Sequence, residues 1–373
     1  MKIVFLNDLI FAYATGAPLA VGGAERQQWL LARALAAAGW QVTVGVKQPL
    51  DCKKRVRIEG VEFIGIGPKH FLWAWYRFLI SEQPDWWYWR CASHLLGLAV
   101  LIAKFARVRM IFAVGFDSDV DFRHALFQRP RWWPLYAGGL AWTNRIFVQN
   151  DKQLLNLPRR WRTKTLKVPS ITPETRAVIP HTERADYVAW VAMLRRFKRP
   201  DLLIEIARKA PDIRFVVCGG ATTFTAAPGY GEQIAHALNT LPNVEYRGQV
   251  SSNEALQAIS EAALFVSTSD EEGFPNTFLQ AWSAGTPVVS LTIDPDNLIE
   301  SHALGKVSHT IDQAINDIRD LMSSPHDREA IASRARRCVA NNHSPSAVVK
   351  IFESAVGGIV SEIAAQGHTA TPV

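Results

Sequence analysis

A carboxylate and an amide stand eight residues apart at the start of a predicted helix. Glu272 lies in the polar segment SDEEG, after an apolar strand predicted over Ala262–Val266, and Gln280 lies inside the helix that follows. A glycine-containing turn that enters a helix leaves backbone N–H groups without intrahelical partners, and these groups bind phosphate well. Because eight residues make just over two helical turns, we expect both side chains at the same edge of one site. Side chains that bind hydroxyls, beside a turn that binds phosphate, are the chemistry needed to hold a sugar nucleotide.

Positive charge follows the strand predicted over Tyr187–Ala192. The segment MLRRFKRPD contains Arg195, Arg196 and Lys198. When the bond between a sugar and a nucleoside diphosphate breaks, negative charge develops on the phosphates, and fixed cations nearby stabilise it. Lys198 is a candidate for this role, whereas Arg195 and Arg196 either assist it or are solvated surface charges.

Two glycine pairs follow predicted strands, one at 22–23 before the first long helix and one at 219–220 after the strand FVVC. Glycine lets a ligand approach the backbone closely, and the ends of parallel strands are where such folds bind ligands. Helices often begin with glycine and strands often end with it, so each pair also has a purely structural explanation. The first pair does not form GxGxxG, which argues against a dinucleotide-dependent dehydrogenase.

The length and composition indicate two globular domains. The chain has 373 residues, of which 48% are hydrophobic, enough for two cores. Its four cysteines lie far apart with no CxxC pair, which argues against a zinc site or a disulfide framework and fits a reducing compartment. The N-terminus MKIVFLND is too short for a signal peptide, and the longest apolar run, Leu95–Ala103, is too short to span a bilayer. We therefore expect a soluble, cytoplasmic protein.

The charge is distributed unevenly along the chain. Residues 1–185 contain 26 Lys and Arg against 13 Asp and Glu, whereas residues 186–373 contain 15 against 21. The first half also holds eleven of the thirteen tryptophans. Basic residues interleaved with tryptophan suggest an anionic membrane surface at the inner face of the membrane, or a large anionic ligand. The simpler interpretation is a solvated basic face with the tryptophans in the core, and nucleic acid is disfavoured because no nucleic-acid-binding motif accompanies the charge. The tryptophans that stand near basic residues are Trp73, Trp75, Trp86, Trp87, Trp89, Trp132, Trp133 and Trp161.

Strands and helices alternate in two successive runs, which indicates doubly wound parallel sheets covered by helices on both faces. A proline-containing linker is predicted over residues 168–184, and a loop is predicted from the first strand to Gly22. In the first run the predicted strands are Lys2–Leu6, Gln41–Val46, Val61–Ile66, Trp87–Trp89, Met110–Val114 and Arg145–Val148. In the second run they are Tyr187–Ala192, Arg214–Cys218, Val244–Arg247, Ala262–Val266 and Val288–Val289.

The segment EGFPNTFLQ at 272–280 resembles the donor-site motif of the family 4 glycosyltransferases, the glycosyl transferases group 1. In that motif seven residues separate the first glutamate from a second one, and here Gln280 takes the place of the second. The resemblance implies the GT-B architecture over essentially the whole chain, with two Rossmann-like domains facing across a cleft. The implied divisions are an acceptor-side domain at 1–175, a nucleotide-sugar-binding domain at 186–345, and a last helix at 346–366 that crosses back to the first domain.

The same resemblance implies roles for the residues of the second domain. Glu272 corresponds to the carboxylate that contacts the donor sugar and stabilises the transition state; the alternative is a glutamate that only favours the helix dipole. Lys198 matches the family's lysine, but the family's arginine position falls on Met193, so Arg195 or Arg196 is the substitute. The implied donor-binding residues are Lys198, Arg196, Arg195, Gly219, Gly220, Gly273, Phe274, Pro275, Asn276, Thr277 and Gln280.

In the first domain, the GGAER segment resembles the family loop that lies near the donor phosphates and the acceptor. Many relatives place a histidine after the strand equivalent to Met110–Val114, and this chain has Asp117 and Asp119 there instead. Either carboxylate is a candidate to orient or deprotonate an acceptor hydroxyl, although an acidic turn is equally a solvated loop or a helix cap. His124 is a more distant candidate. The implied acceptor and phosphate residues are Gly22, Gly23, Glu25 and Arg26.

Taken together, these motifs and the resemblance they carry imply a retaining glycosyltransferase; that it needs no metal and no cofactor is an expectation from the resemblance alone. The expected donor is a UDP- or GDP-sugar, and the expected acceptor is a glycan or a lipid-linked hydroxyl in cell-surface polysaccharide or glycoconjugate synthesis. The alternative is a catalytically silent GT-B protein that binds a sugar nucleotide or a partner. A nucleotide-sugar epimerase or a glycan phosphorylase has the same architecture, but nothing in the sequence suggests a pyridoxal-binding lysine segment.

Overall fold

The chain folds into two compact units, Met1–Ile171 with Ser344–Val373, and Thr172–His343. The computed structural model describes residues 1–17, 22–67, 69–121, 130–173, 178–221 and 229–366. Each unit contains one sheet with helices on both of its faces.

The first unit is built on an eight-stranded sheet in the order β3-β4-β2-β1-β5-β6-β7-β8. Its central strands are apolar on both sides because helices cover both faces. The strand order reverses between β1 and β5, so the loops after these two strands leave the same edge of the sheet side by side. The strands are β1 (Lys2–Leu6), β2 (Gln41–Val46), β3 (Arg55–Ile58), β4 (Val61–Gly65), β5 (Trp86–Arg90), β6 (Arg109–Ala113), β7 (Arg145–Val148) and β8 (Thr165–Lys167).

Helices α1 and α2 pack on one face of this sheet, and α3, α4 and α5 pack on the other. The bounds are α1 (Asp8–Ala14), α2 (Gly23–Ala37), α3 (Phe71–Glu82), α4 (Leu96–Phe105), α5 (Trp133–Trp142), α6 (Asp151–Asn156) and α7 (Arg159–Arg162).

The first unit departs from the sequence predictions in two details. The segment after β1 is not only a loop, since it contains α1, whose N-terminus is capped by the Asn7 side chain accepting a hydrogen bond from the Leu9 N–H (3.0 Å). The sheet is also not wholly parallel, because β3 runs antiparallel to β4. The two residues between them, Glu59 and Gly60, allow a hairpin but are far too few for the crossover that a parallel pair requires.

The second unit is built on a six-stranded sheet in the order β11-β10-β9-β12-β13-β14, in which every pair is parallel. The order reverses between β9 and β12, which places the loops after these strands beside each other. The strands are β9 (Ala185–Val191), β10 (Phe215–Cys218), β11 (Val244–Gly248), β12 (Ala262–Ser267), β13 (Val288–Ser290) and β14 (Gly305–Val307). The helices are α8 (Pro200–Lys209), α9 (Tyr230–Asn239), α10 (Ser252–Glu261), α11 (Asn276–Ala284), α12 (Leu298–Ser301), α13 (Ile311–Ser323) and α14 (Pro325–Asn342).

The last helix, α15 (Pro345–Gln366), belongs to the first unit. Val348, Phe352 and Val356 are buried in the core that α1 and α2 form with the sheet. The Trp40 indole N–H donates to the Glu353 carboxylate (2.9 Å), which fixes the helix laterally. Within the part of the chain that the structure describes, none of the helices has the length and apolar composition needed to cross a bilayer.

The C-terminal part of the predicted linker is anchored rather than free. Arg184 is buried, and its guanidinium donates to the Thr286 hydroxyl (2.6 Å) and the Ala284 carbonyl (2.6 Å). His181 is also buried, with Nε2 2.9 Å from the Gly285 carbonyl and Nδ1 3.3 Å from Arg328 Nε. This part of the segment therefore packs against the second unit and cannot act as a solvated hinge.

We predict that His181 makes the second unit sensitive to acid. Burial, with a contribution from the neighbouring Arg184, lowers the pKa of His181 from 6.5 to about 4. Since the unfolded chain binds this proton more readily than the folded protein, stability falls as the pH falls through 6.5 and the loss is complete below about 4. The loss should be roughly 2 kcal/mol, allowing for solvent screening.

Urea unfolding of the wild type and of His181→Gln at pH 7 and pH 4.5 measures this contribution. Glutamine retains a donor for the Gly285 carbonyl and an acceptor for Arg328 but takes up no proton. An equal drop in both proteins would show that His181 does not control the transition.

Candidate active site

Hydrogen bonds join the loop after β9 to the loop after β12, at the point where the strand order of the second unit reverses. The Asp270 N–H donates to the Phe197 carbonyl (2.8 Å), and the Thr268 hydroxyl donates to the Lys198 carbonyl (2.8 Å). Thr268 in turn accepts from the buried Trp190 indole N–H (3.0 Å). These bonds give a fixed position to the side chains of both loops.

At this junction Lys198 Nζ contacts Glu272 Oε1. The side chains are only 20% and 10% exposed, so both charges have lost most of their hydration. A mostly buried ion pair adds little to folding stability, because desolvation offsets the attraction between the charges. Sequence reasoning selected both residues separately; the tertiary structure brings them together.

The start of α11 differs from the prediction. The helix begins at Asn276 with Pro275 as its N-cap, so Glu272 lies outside the helix. Helical periodicity therefore does not relate Glu272 to Gln280, and the argument that placed both at one edge by counting turns is wrong. Gln280 is half-buried in the helix, Asn276 and Thr277 are half-buried in its first turn, and Gly273, Phe274 and Pro275 are buried before it.

Steric crowding requires glycine at 219 and 220, in addition to the close ligand approach that the sequence predicts there. A Cβ on Gly219 would lie 1.8 Å from the Ala192 carbonyl oxygen, and one on Gly220 would lie 2.8 Å from Gln249 Cβ. The Gly220 carbonyl accepts from the Leu194 N–H (3.0 Å), so this turn supports the loop that carries Lys198.

Gly219→Ala should therefore destabilise the second unit by about 3 kcal/mol or more, because the clashing atom is backbone and cannot rotate away. Gly138→Ala is the matched control, since nothing lies within 4 Å of a Cβ at that helical position. Thermal unfolding of both variants measures the difference. Unchanged stability in Gly219→Ala would show that the loop relaxes at no cost.

The two arginines before Lys198 differ in environment. Arg196 is exposed, with its guanidinium carbon 5.5 Å from the centre of the Tyr230 ring. Arg195 is half-buried, 6.0 Å from the centre of the Phe197 ring. The exposure of Arg196 favours the interpretation as a surface charge, which leaves Arg195 as the stronger substitute for the family's arginine.

In the first unit, the loops after β1 and β5 meet at the other reversal of strand order. Gly22 is the N-cap of α2, and a Cβ there would lie 2.8 Å from the Glu25 carboxylate. Arg26 Nη1 is buried and has no hydrogen-bond partner among the described residues. Gly23 begins α2, so the GGAER segment forms the start of this helix as predicted.

Arg90, at the end of β5, is a residue that the sequence analysis missed. Its Nε is buried without a hydrogen-bond partner in the described part of the chain, and its Nη1 lies 3.4 Å from the Tyr88 hydroxyl. In the orientation that satisfies both ends of its amide, Gln149 accepts from Arg90 Nη2 (2.8 Å) and donates to the Gly115 carbonyl (3.2 Å). The sequence feature that could have identified Arg90 is its position at the C-terminal end of a strand, next to the point where the strand order reverses.

The two aspartates of the first unit are engaged in structural contacts. Asp119 Oδ2 accepts from the N–H groups of Gly115 (2.7 Å) and Phe116 (3.1 Å), and burial raises the pKa of its carboxyl. Asp117 accepts from Gln153 Nε2 (3.0 Å) and pairs with Lys152 Nζ (2.9 Å). These contacts favour the capping interpretation over a catalytic base. His124 lies outside the described residues, and the described residues contain no group of three His, Cys, Asp or Glu placed to hold a metal.

Comparison with known proteins agrees with this geometry. Residues 172–338, almost the whole second unit, match the model of the family described as Glycosyl transferases group 1. The second unit is a group 1 glycosyltransferase domain. The D-inositol 3-phosphate glycosyltransferase of Mycobacterium sp. (strain KMS) is 28% identical over 152 residues, which are 38% of this chain and 35% of that protein. The chain thus covers about a third of the length of this curated relative.

Solved structures resemble the whole chain. Sucrose-phosphate synthase (tll1590) from Thermosynechococcus elongatus has a TM-score of 0.72 at 16% identity, covering 98% of this chain and 100% of that one. Anabaena Alr3699/HepE in complex with UDP-glucose has a TM-score of 0.70 at 15% identity, covering 97% and 100%. The group 1 domain and the first unit have the GT-B fold.

Proposed function

We propose that this protein transfers a sugar from a nucleoside diphosphate sugar to a hydroxyl acceptor, with retention of the anomeric configuration. The observation that carries the proposal is the Lys198–Glu272 pair, mostly buried where the strand order of the group 1 domain reverses. Such a position binds ligands in doubly wound folds, and this one offers a cation for phosphate and a carboxylate for sugar hydroxyls. HepE, solved with UDP-glucose, supports a nucleotide sugar as donor.

In this proposal Lys198 stabilises the charge that develops on the leaving diphosphate, assisted by Arg195. Glu272 accepts hydrogen bonds from the donor sugar and stabilises the positive charge that develops at the anomeric carbon. The turn before α11 and its first two residues, from Gly273 to Thr277, hold phosphate or sugar oxygens, and Gln280 takes the place of a second carboxylate. Charge neutralisation by the protein itself is the reason to propose that no metal is required.

Thermal-shift titration with UDP-, GDP- and ADP-sugars tests the donor. A ligand that binds only the folded protein raises the unfolding temperature by mass action, by about 5 °C at a hundredfold excess over its Kd. We expect this shift with one nucleotide class. No shift with any of them at millimolar concentration would contradict the proposal.

The departures at Gln280 and Met193 favour a second candidate, a catalytically silent protein that binds a sugar nucleotide. A hydrolysis assay distinguishes a transferase from a silent binding protein. It measures the release of free sugar from the donor identified above, in the absence of acceptor. A transferase hydrolyses its donor slowly, whereas a silent binding protein leaves it intact.

For the acceptor we propose the first unit, with Arg90 and Arg26 holding an anionic group such as a phosphate. Both guanidinium groups carry a buried N–H without a hydrogen-bond partner among the described residues, and an anion would satisfy both charge and donors. The relative from Mycobacterium sp. is named for a phosphorylated acceptor, D-inositol 3-phosphate. A lipid-linked phosphate would present the same chemistry.

Arg90→Gln should raise the KM for the acceptor about tenfold or more, while slow hydrolysis of the donor is unchanged. Steady-state kinetics with a lipid-linked phosphate acceptor, compared with donor hydrolysis, measures both effects. Equal losses in the two reactions would indicate that Arg90 acts by stabilising the first unit rather than by holding the acceptor.

A further inference from the structure

The tryptophans that precede the linker fall into two groups. Trp86 and Trp87 are fully buried, and Trp75 is nearly so, which agrees with the simpler interpretation of the sequence. Trp73, Trp132 and Trp142 are instead 59%, 48% and 49% exposed. Large aromatic side chains exposed together on one part of a protein indicate a surface that is covered in use.

Trp73 lies on α3, Trp142 lies on α5, and Trp132 is the N-cap of α5. Helices α3, α4 and α5 cover one face of the first sheet and pack against one another in chain order. We call the outer side of these helices the three-helix face. An open groove between α3 and α4 is lined by Trp73 and Tyr76 on one side and by Leu98 and Phe105 on the other. Phe105 is 77% exposed at the end of α4.

The face continues from α4 onto α5. Lys104 Nζ lies 5.0 Å from the centre of the Trp142 ring, which joins the two helices at the surface. A second open groove runs along α5 between Trp133 and Gly138 and reaches Arg160 beyond it. Aromatic side chains therefore occupy the outer surface of all three helices.

The exposed charged residues of the three helices themselves, Arg77 and Lys104, are basic. The one carboxylate in the three helices is Glu82, which is buried and paired with Lys2 (3.0 Å) and Arg55 (2.6 Å). Around the apolar surface the exposed basic residues are Lys69, Arg77, Lys104, Arg107, Arg131, Arg159 and Arg160.

We propose that the three-helix face binds the surface of an anionic lipid bilayer. Tryptophan and phenylalanine enter the boundary between head groups and acyl chains, and lysine and arginine bind the phosphates above it. A soluble protein partner would need an equally apolar, acidic surface, whereas an anionic bilayer offers both features over any area. This inference deepens the proposed function by giving a lipid-linked acceptor a location, but its test does not depend on transfer.

Co-sedimentation of the full-length protein with vesicles tests the proposal. We expect binding to vesicles of phosphatidylglycerol and phosphatidylcholine, and at least about tenfold weaker binding to phosphatidylcholine alone or at high salt. The double variant Trp73→Ser/Phe105→Ser should bind about tenfold or more weakly, because each substitution removes a large apolar side chain that the bilayer would bury. The variant Lys104→Glu/Arg107→Glu should lose a similar amount.

Val178→Ser is the matched control, since Val178 is an exposed apolar residue that belongs to the second unit and not to the three-helix face. Thermal unfolding should be unchanged in all these variants because the substituted side chains are exposed. Equal binding of the two vesicle types, or full binding by both double variants, would overturn the proposal. So would a concentration-dependent dimer in sedimentation velocity that is lost in Trp73→Ser/Phe105→Ser, since a second copy of the chain would then cover the face.

Discussion

Glu272→Gln is expected to lower kcat for sugar transfer by about 10²–10³ while the protein remains folded. The substitution keeps the shape of the side chain and one acceptor oxygen, replaces the other oxygen with an NH2 donor, and removes the charge. If Glu272 stabilises developing positive charge on the donor sugar, that charge is what the reaction requires. Affinity for the nucleoside diphosphate should change little, since Lys198 and the turn before α11 are intact.

Steady-state transfer and calorimetric titration with the nucleoside diphosphate, performed on the same preparations, measure both quantities. Glu271→Gln is the control, since Glu271 is the adjacent carboxylate on the same loop and no role is assigned to it. Undiminished transfer by Glu272→Gln would remove Glu272 from the site. A loss of the same size in Glu271→Gln would point to the total charge of the loop instead of one carboxylate.

Lys198→Met should lower both affinity for the nucleoside diphosphate and kcat, together by about 10²–10³ in kcat/KM. Methionine retains much of the apolar stem of lysine and removes the ammonium group. It also leaves the mostly buried Glu272 without its partner, so the variant should lose about 3 kcal/mol of folding stability.

The double variant Lys198→Met/Glu272→Gln separates the chemical role from the structural one. With both charges removed, no uncompensated buried charge remains, and stability should return close to that of the wild type. Activity should not return, because neither the cation nor the carboxylate is present. Recovery of both stability and transfer in the double variant would mean that the pair only supports the fold.

The membrane proposal is independent of these two results. Vesicle binding by the three-helix face requires neither a donor nor an intact Lys198–Glu272 pair. A protein that transfers sugar without binding vesicles would keep the proposed activity and lose only the proposed location.

Local sequence patterns were sufficient where packing depends on apolar periodicity. The runs KIVFL and FVVC are β1 and β10, and the strand predicted over Gln41–Val46 has those bounds in the structure as β2. Buried strands and amphipathic helices are encoded by neighbouring residues, so reading along the chain recovers them. The pattern failed at α1 and β3, where an Asn cap and a short turn determine structure without a long apolar repeat.

The sequence by itself determined the two α/β runs, the residue types of the donor motif and the concentration of basic and aromatic residues before the linker. Only the tertiary structure decided which of them act together. Lys198 and Glu272 are 74 residues apart and meet because the strand order reverses between β9 and β12. Trp73 and Trp75 are two residues apart, yet one is exposed and the other buried, because α3 turns one toward solvent and the other toward the sheet. Contacts between distant residues and the side of a helix that faces solvent depend on how elements pack, which no local pattern contains.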